Sequence, residues 1–474
     1  MVMQRFLGIC VVLAWGCGDA PARKAAAAPP PIEANDETPQ TAAPVPRRKH
    51  GSDWPWFLGP AGNSVSSEKG ILSPWPRDGL KLLWQVRTGT GYSVPSISKG
   101  RLFLFDRQGD QARLTCRNSE TGAFLWKFEY PTDYRDYYGY NNGPRCCPVV
   151  DDDRVYLYGA EGMLHCVAAP DGKLLWKVDT QAEFGMVQYF FGVGSTPVVD
   201  GDRLLVQVGG SPPGSELSPN LRGNGSCLVA FDKRTGKVLY KTGDELASYA
   251  SPVLAQIDGR RWCFVFARGG LVGLEPASGK VEFRFPWRAR EFESVNAANP
   301  VVVGDRVFIS ETYGPGSALL AVKPGKCEVV WSDADKGRDK SMQCHWNTPI
   351  HHDGYLYGCS GRHLNNAELR CIELATGKVL WSRPDLTRTS LTMVDGHFLC
   401  LSEVGQLSLL KVNPHKYEEV SSMDLQNLGK EPGERRAGQI PRDPWWAAPV
   451  LAHGLVYVRG DNRVLCLELI PEKR

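Results

Sequence analysis

The stretch TPVVDGDRLLVQVGG (196–210), followed by CLVAFDKRTGKVLYK (227–241), decides the fold. A Pro-led apolar run makes a polar Asp-Gly turn and continues into a second apolar run. A third alternating run follows, then a Thr-Gly-Lys turn and a fourth run ending in an aromatic residue. Alternation with a period of two marks half-buried strands, and Gly/Asp turns supply the backbone freedom that hairpins need. The stretch therefore predicts a four-stranded antiparallel meander.

The same unit recurs. NPVVVGDRVFISETYG (299–314) precedes ALLAVKPGKCEVVW (318–331), and TPIHHDGYLYGCSG (348–361) precedes LRCIELATGKVLW (369–381). First-strand prolines fall at Pro95, Pro148, Pro197, Pro252, Pro300, Pro349 and Pro449, with Leu391 in the corresponding place of a degenerate copy. The spacing is about 50 residues and the count is eight, which predicts stacked units. Four antiparallel strands per unit select an all-β, eight-bladed β-propeller. Closure fits: the last copy has three strands, ending in RVLCLEL (463–469), while KLLWQV (81–86) is a fourth strand with no first three before it. Pairing them completes the eighth blade and leaves no open edge.

The terminal aromatics Trp84, Trp126, Trp176, Tyr240, Phe283, Trp331 and Trp381 recur as the repeat does, so they read as wedges between blades. Cys116, Cys166, Cys227, Cys371 and Cys466 read as buried small side chains of the third strand.

Fifty glycines, 34 prolines and 14 tryptophans suit many short strands and tight turns. A formal charge of +3 without a dense basic run in the body argues against nucleic acid as a partner. The first residues read as a targeting segment. FLGICVVLAW (6–15) is too short to span a bilayer, and Cys17 ends a lipobox-like stretch, which predicts export with lipidation at Cys17, ordinary signal cleavage after APA (20–22) being the competing reading. Residues 1–17 are thus read as a signal segment and 18–50 as an Ala/Pro-rich disordered spacer. Residues 51–474 form the propeller, expected as a periplasmic, membrane-anchored monomer.

TGAFLW, DGKLLW, TGKVLY and TGKVLW resemble the repeat of pyrroloquinoline-quinone (PQQ) enzymes, a unit shared by quinoprotein alcohol dehydrogenases and BamB-type lipoproteins. DWPWFLGPAGNSVSSEKGIL (53–72) resembles the N-terminal signature of bacterial PQQ-like propellers. The resemblance implies the fold. It does not imply an activity, because the repeat also occurs without cofactor.

Loops in such a meander alternate between the two faces of the ring. The long insertions, among them 128–145, 178–195, 210–226, 284–298, 332–347 and 421–447, fall almost wholly on one face. An elaborated face on a rigid scaffold is where binding is expected. The positions just before each first strand should ring the channel mouth there. They include Tyr92, Arg145, Cys146, Cys147, Tyr249, Asn296, Asn299, His345, Trp346, Asn347, Arg388, Trp445 and Trp446, overhung by Tyr134, Tyr137, Tyr138 and Tyr140. Aromatics, amides and arginines suit stacking, hydrogen bonding and anion recognition.

Cys146 and Cys147 admit two readings. Quinoprotein alcohol dehydrogenases carry an adjacent cysteine pair near the quinone, which the resemblance extends to this pair as a redox disulfide. Yet adjacent Cα atoms stand about 3.8 Å apart, below the usual ~4.4–6.8 Å of a disulfide, and strand neighbours point to opposite faces. Aligned copies place Thr196, Ser251, Asn299, Thr348 and Ala448 in the Cys147 column, and Ser195, Ala250, Ala298, Asn347 and Ala447 in the Cys146 column, so both positions also read as sites for small side chains.

A quinone site would need a calcium ion held by carboxylate and amide oxygens, an Asp base and a stacking ring. Glu293 and Asp443 are the nearest carboxylates, and the sequence has no CxxCH haem site. His351-His352 reads as a solvated turn on the plain face. The sequence therefore points to a propeller without catalytic residues, metal or cofactor, binding a protein, peptide or polymer on its long-loop face. A PQQ- and calcium-dependent dehydrogenase is the alternative, and a non-redox carbohydrate-binding propeller, which the tyrosines fit without any motif, is a third reading.

Overall fold

Each Pro-led run is the innermost strand of one sheet, because proline can start such a strand without breaking its ladder. The computed structural model describes residues 32–39, 48, 50–187, 190–212, 221–430, 441 and 444–472. The signal segment with Cys17, and much of the spacer, lie outside these residues, as does Asp443.

Eight sheets form, each built on four antiparallel strands. Blade 1 runs through Ser96–Ser98, Arg101–Gln108, Gln111–Asn118 and Phe124–Pro131. Blades 2 to 7 begin at Val149, Val198, Val253, Val301, Ile350 and Thr389. Blade 8 takes Val450–Ala452, Leu455–Gly460 and Arg463–Glu468 from the end of the chain and Lys81–Arg87 from near its start. Trp84 faces Cys466 and Val86 faces Val464 in that antiparallel ladder. The closure read from the sequence is the closure found.

The buried apolar side chains fall into eight clusters, one at each blade interface. The repeated aromatics are their wedges. The indole nitrogen of Trp84 donates to Ser119 O of blade 1 at 3.1 Å, that of Trp126 to Ala169 O at 3.2 Å, and that of Trp331 to Leu374 O at 2.8 Å. Each ring thus ends on the turn between third and fourth strands of the next blade, which explains the glycine there. Gly122 has φ of +73°, and a Cβ on it would stand 2.8 Å from the Trp84 ring.

Opposite each aromatic, the third strand carries a small or slender residue, followed by a register shift. Cys116 faces Trp126, Cys166 faces Trp176, Cys371 faces Trp381, and Cys466 faces Trp84. Cys227 does not belong to this column. It lies just before the strand Leu228–Asp232, and Ala230 is the residue facing Tyr240.

Two departures concern the N-terminal side. Within the stretch expected as spacer, Ile32–Glu33 adds a short parallel strand beside Trp84 and Gln85. Ala34 is buried and accepts from the Arg117 guanidinium at 2.7 Å, and Glu37 pairs with Arg113 at 2.9 Å. Hydrogen bonding to an open sheet edge orders a segment that has little apolar surface to bury. The second departure is the segment 53–66, which shapes the site. No described helix is long and apolar enough to cross a membrane.

Candidate functional site

Trp54, Pro55 and Val65 each bond to an innermost strand, but of different blades. Trp54 exchanges backbone bonds with Ile97 of blade 1 at 2.9 and 2.8 Å, and Pro55 O accepts from Val150 N of blade 2 at 2.9 Å. Val65–Ser66 then pairs in parallel with Met393 and Val394 of blade 7. The chain between them crosses the end of the central channel on the face of short turns. Phe57, Leu58 and Ser64 become the floor of a cavity of about 420 Å³ that opens on the long-loop face. Leu58 is buried with φ of +63°, a left-handed conformation held by these bonds on either side.

The residues just above the floor form a circumferential latch. Cys147 N donates to Thr196 Oγ1 at 3.1 Å, Thr196 N to Ser251 Oγ at 2.9 Å, Ser251 N to Asn299 Oδ1 at 2.8 Å and Asn299 N to Thr348 Oγ1 at 3.0 Å. Blades 2 to 5 thus each hand a backbone donor to a side chain of the next. The Cys147 sulfur faces the backbone N–H of Val94 and so takes the same place in the ring of bonds. The column reads as small in the sequence; in blades 3 to 6 its members are also acceptors for the preceding blade, whereas Ala448 of blade 8 is small only.

Above the latch the wall is aromatic. Ring centroids run 4.7 Å from Tyr92 to Trp446, 4.8 Å from Trp446 to Trp346, 4.9 Å from Trp346 to His345 and 5.9 Å from His345 to Tyr313. Tyr140, Phe191 and Tyr249 continue the belt at 5.6–5.9 Å. Tyr137 and Tyr140 stand exposed on the rim. Burial and the neighbouring Arg388 and Arg362 push the His345 pKa down to about 3, so its ring is neutral. Burial likewise raises Tyr313 to about 12.

Three arginines reach this wall, and two have their donors committed. Arg388 gives Nε and Nη2 to the buried Glu403 carboxylate, the latter at 2.5 Å, and Nη1 to Arg362 O at 3.1 Å. Arg145 bonds Asp136, Gly143 O and Asn141 O. Arg362 lies over the Tyr313 ring at 4.7 Å, with Glu291 at 3.7 Å. These guanidiniums present flat faces to the cavity more than free forks. Anion recognition, expected from their number, is weakened by the carboxylates behind them.

Of the residues expected at the mouth, Tyr92, Arg145, Tyr249, His345, Trp346, Asn347, Arg388 and Trp446 line the cavity. Cys146, Cys147, Asn296, Asn299 and Trp445 do not. Asn296 gives its amide to Ala267 O and Trp287 O, while Asn299 serves the latch. Trp445 is 1% exposed and packs in the cluster between blades 7 and 8, against Gly405 and Gly460. In that interface blade 7 has Ser421, facing Leu409, in place of a wedge aromatic, and Trp75 of the same cluster donates its backbone N–H to the Ser421 hydroxyl at 2.9 Å. Cys146 packs with blades 2 and 3 and Cys147 with blades 8 and 1, so the two side chains diverge. His351 and His352 do not form the turn expected of them: they end the first strand of blade 6, Ile350–His352, paired with Leu356 and Tyr355, and the His351 ring accepts from Gly354 N in the turn that follows.

Sequence reasoning missed Phe57, Leu58, Tyr313, Arg362 and Glu403. For Glu403 a signal existed: a charged residue ending an apolar second strand. Arg107, Arg268, Arg459 and Glu311 sit there too, and each pins nearby loop backbone, as Arg107 does with Tyr134 O at 2.6 Å.

The chain was compared with known proteins. The model of the family described as outer membrane protein assembly factor BamB matches residues 110–383. Dehydrogenase subunits of alcohol dehydrogenase (quinone) from Komagataeibacter europaeus and Gluconacetobacter polyoxogenes are each 26% identical over 173 residues, covering 34% of this chain and 21% of theirs. The chain thus matches about a fifth of the length of these curated relatives. BamB from Moraxella catarrhalis superposes with a TM-score of 0.56 at 12% identity, over 83% of this chain and 99% of that one. Quinohemoprotein alcohol dehydrogenase from Comamonas testosteroni gives 0.59 at 11% identity, over 89% and 81%. A europium-containing methanol dehydrogenase gives 0.59 at 11%, over 79% and 85%. At such identities these structures share the fold.

Proposed function

The chain belongs to the family described as outer membrane protein assembly factor BamB, whose model covers more than half of it, and from that premise we propose an exported, lipid-anchored binding propeller. It holds a protein, peptide or polymer against its long-loop face, with Cys17 as the point of lipid attachment. The observation that carries this reading is the floored cavity itself. Its wall is aromatic, two of its arginines are committed to protein partners, and loop residues such as Tyr138, Tyr140 and Phe191 line it. Such a site suits binding and orienting a partner.

The rival reading is a quinoprotein dehydrogenase, which the 173-residue similarity favours. A quinone with calcium would need a cage of carboxylate and amide oxygens. Among the described residues no group of three or more His, Cys, Asp and Glu stands together. Glu293 is the one carboxylate on the described cavity wall, Glu403 is engaged by Arg388 and the Trp446 indole, and the Asn299 oxygen is held by Ser251 N. These residues do not fit that centre.

Two measurements decide. Titration of the purified domain with PQQ and calcium, with alcohol-dependent dye reduction, should give neither tight binding nor turnover; binding with turnover makes the protein an oxidoreductase. Benzoylphenylalanine placed at Tyr137 or Tyr140 should crosslink to envelope material, while the same group at Arg234 or Lys378, on the plain face, should not. Equal crosslinking from both faces would sink the proposal.

A further inference from the structure

Arg388 and Arg145 are held by the carboxylates of Glu403 and Asp136, but the third arginine of the wall is not held in that way. Among the described residues, Arg362 has no carboxylate within hydrogen-bonding distance. Its Nε donates to the exposed His363 ring at 3.0 Å, its guanidinium lies 4.7 Å over the Tyr313 ring, and Glu291 stands 3.7 Å from Nη1. The Arg362 side chain is 34% exposed and that of Glu291 54%, so water screens this loose pair and a ligand carboxylate can take the place of Glu291. Arg362 also lines the cavity, which presents its guanidinium to a bound molecule.

The same wall limits the charge that such a ligand carries. Glu293 is exposed on it and has no ion pair among the described residues. One loosely held guanidinium and one unpaired carboxylate suit a single negative charge; each further charge would meet Glu293 without a second available arginine. A cation would face three guanidiniums for one wall carboxylate. Rings set the rest of the ligand. Tyr137, Tyr138 and Tyr140 are 71%, 45% and 57% exposed. Ring centroids run 5.1 Å from Tyr137 to Tyr138, 5.6 Å from Tyr138 to Phe191, 5.9 Å from Phe191 to Tyr140 and 6.3 Å from Tyr140 to Trp446. Aromatic surface thus continues from the rim to the cavity wall. The floor of Phe57 and Leu58 stops a chain from threading through, so a polymer would enter by its end.

We propose that the cavity holds an apolar or aromatic group bearing one carboxylate, supplied by the C-terminal residue of a polypeptide. The carboxylate pairs with Arg362 and the preceding residues lie along the tyrosines of the rim. This deepens the binding reading above and rests on it. The test titrates the purified chain, read by its tryptophan fluorescence, with four probes: the peptide acetyl-Gly-Ser-Gly-Phe with a free C-terminal carboxylate, the same peptide as its amide, N-acetylphenylalanine, and benzene-1,3,5-tricarboxylate. The free acid should saturate below about 1 mM, and the amide should bind about tenfold more weakly. The tricarboxylate should also bind more weakly than the free acid. Arg362→Gln should bring the free acid down to the level of the amide. The comparison of acid with amide on the unaltered chain stands even where that variant folds poorly. N-acetylphenylalanine binding as tightly as the peptide would remove the polypeptide as the source and leave a small free acid. Equal binding of acid and amide, binding of neither, or a preference for the tricarboxylate overturns the assignment. Crosslinking from Tyr140 to a protein in that case leaves the binding face intact and removes only its carboxylate anchor.

Discussion

Arg388 holds Glu403 in a two-pronged ion pair while its guanidinium lies against two indoles, 4.8 Å from Trp346 and 5.1 Å from Trp446. Glu403 is fully buried, and it also accepts from the Trp446 indole at 3.0 Å. One carboxylate therefore fixes the arginine and one ring of the cavity wall. Removing the arginine strands a buried charge. Arg388→Ala should cost about 3–5 kcal/mol in urea unfolding. Arg388→Lys should recover only part of that, because an ammonium cannot match the carboxylate with two parallel donors. A loss below about 1 kcal/mol for the alanine variant would show that the pair is solvated.

The wedge and its glycine form the second pair open to test. Trp84→Ala empties the junction where the two ends of the chain meet and should cost about 3–5 kcal/mol. Trp84→Phe loses the bond to Ser119 O and some volume, and should cost less. Gly122→Ala should be damaging for two reasons, its φ of +73° and the ring 2.8 Å from the added methyl. Gly325, also at positive φ but with nothing within 4 Å, is the control. Equal melting temperatures for the two glycine variants would mean that the ring contact is unimportant.

Much of this was legible because the repeat spells out backbone periodicity and turn chemistry. Pro197, the Asp200-Gly201 turn and the ring of Tyr240 each report a local requirement, and local requirements leave marks in sequence. Closure was legible too, since a lone strand at 81–86 and a missing one after 469 are matters of count. The cavity was half legible. Trp445 and Trp446 are neighbours of one kind, and only packing between blades 7 and 8 decides which faces inward. The floor was hidden for another reason. Phe57 and Leu58 lie outside the repeat, and their position depends on bonds to blades 1, 2 and 7, all distant along the chain.

Acid should destabilise the protein through two histidines. Burial lowers His345 to about 3 and His165 to about 4, whereas the unfolded chain titrates near 6.5. Between these values the unfolded state binds more protons, so stability rises with pH across the window and is lost as pH falls below 6.5. Each histidine contributes roughly 1.4 kcal/mol per pH unit when titrating fully. Unfolding midpoints measured from pH 7 to pH 4 should fall accordingly, and His165→Gln should flatten part of the slope. A slope unchanged in that variant would place the acid sensitivity elsewhere.

Cys146 and Cys147 provide the last prediction. Their side chains enter different interfaces: Cys146 lies 3.3 Å from Ser195 O, between blades 2 and 3, and Cys147 faces Val94 N–H, between blades 8 and 1. Burial pushes the Cys147 pKa up to about 12 and holds Cys146 well above the ordinary thiol range, so both are neutral thiols shielded from reagents. A disulfide between them would pull Cys147 from the latch and leave the Val94 donor without its acceptor. Both should therefore resist iodoacetamide in the folded protein, and both should be alkylated once it is unfolded without reductant. Peptide mass spectrometry reads this directly. Alkylation that appears only after reduction would reveal the bond, and Cys147→Ser would then abolish a redox couple where the latch predicts a variant of nearly native stability.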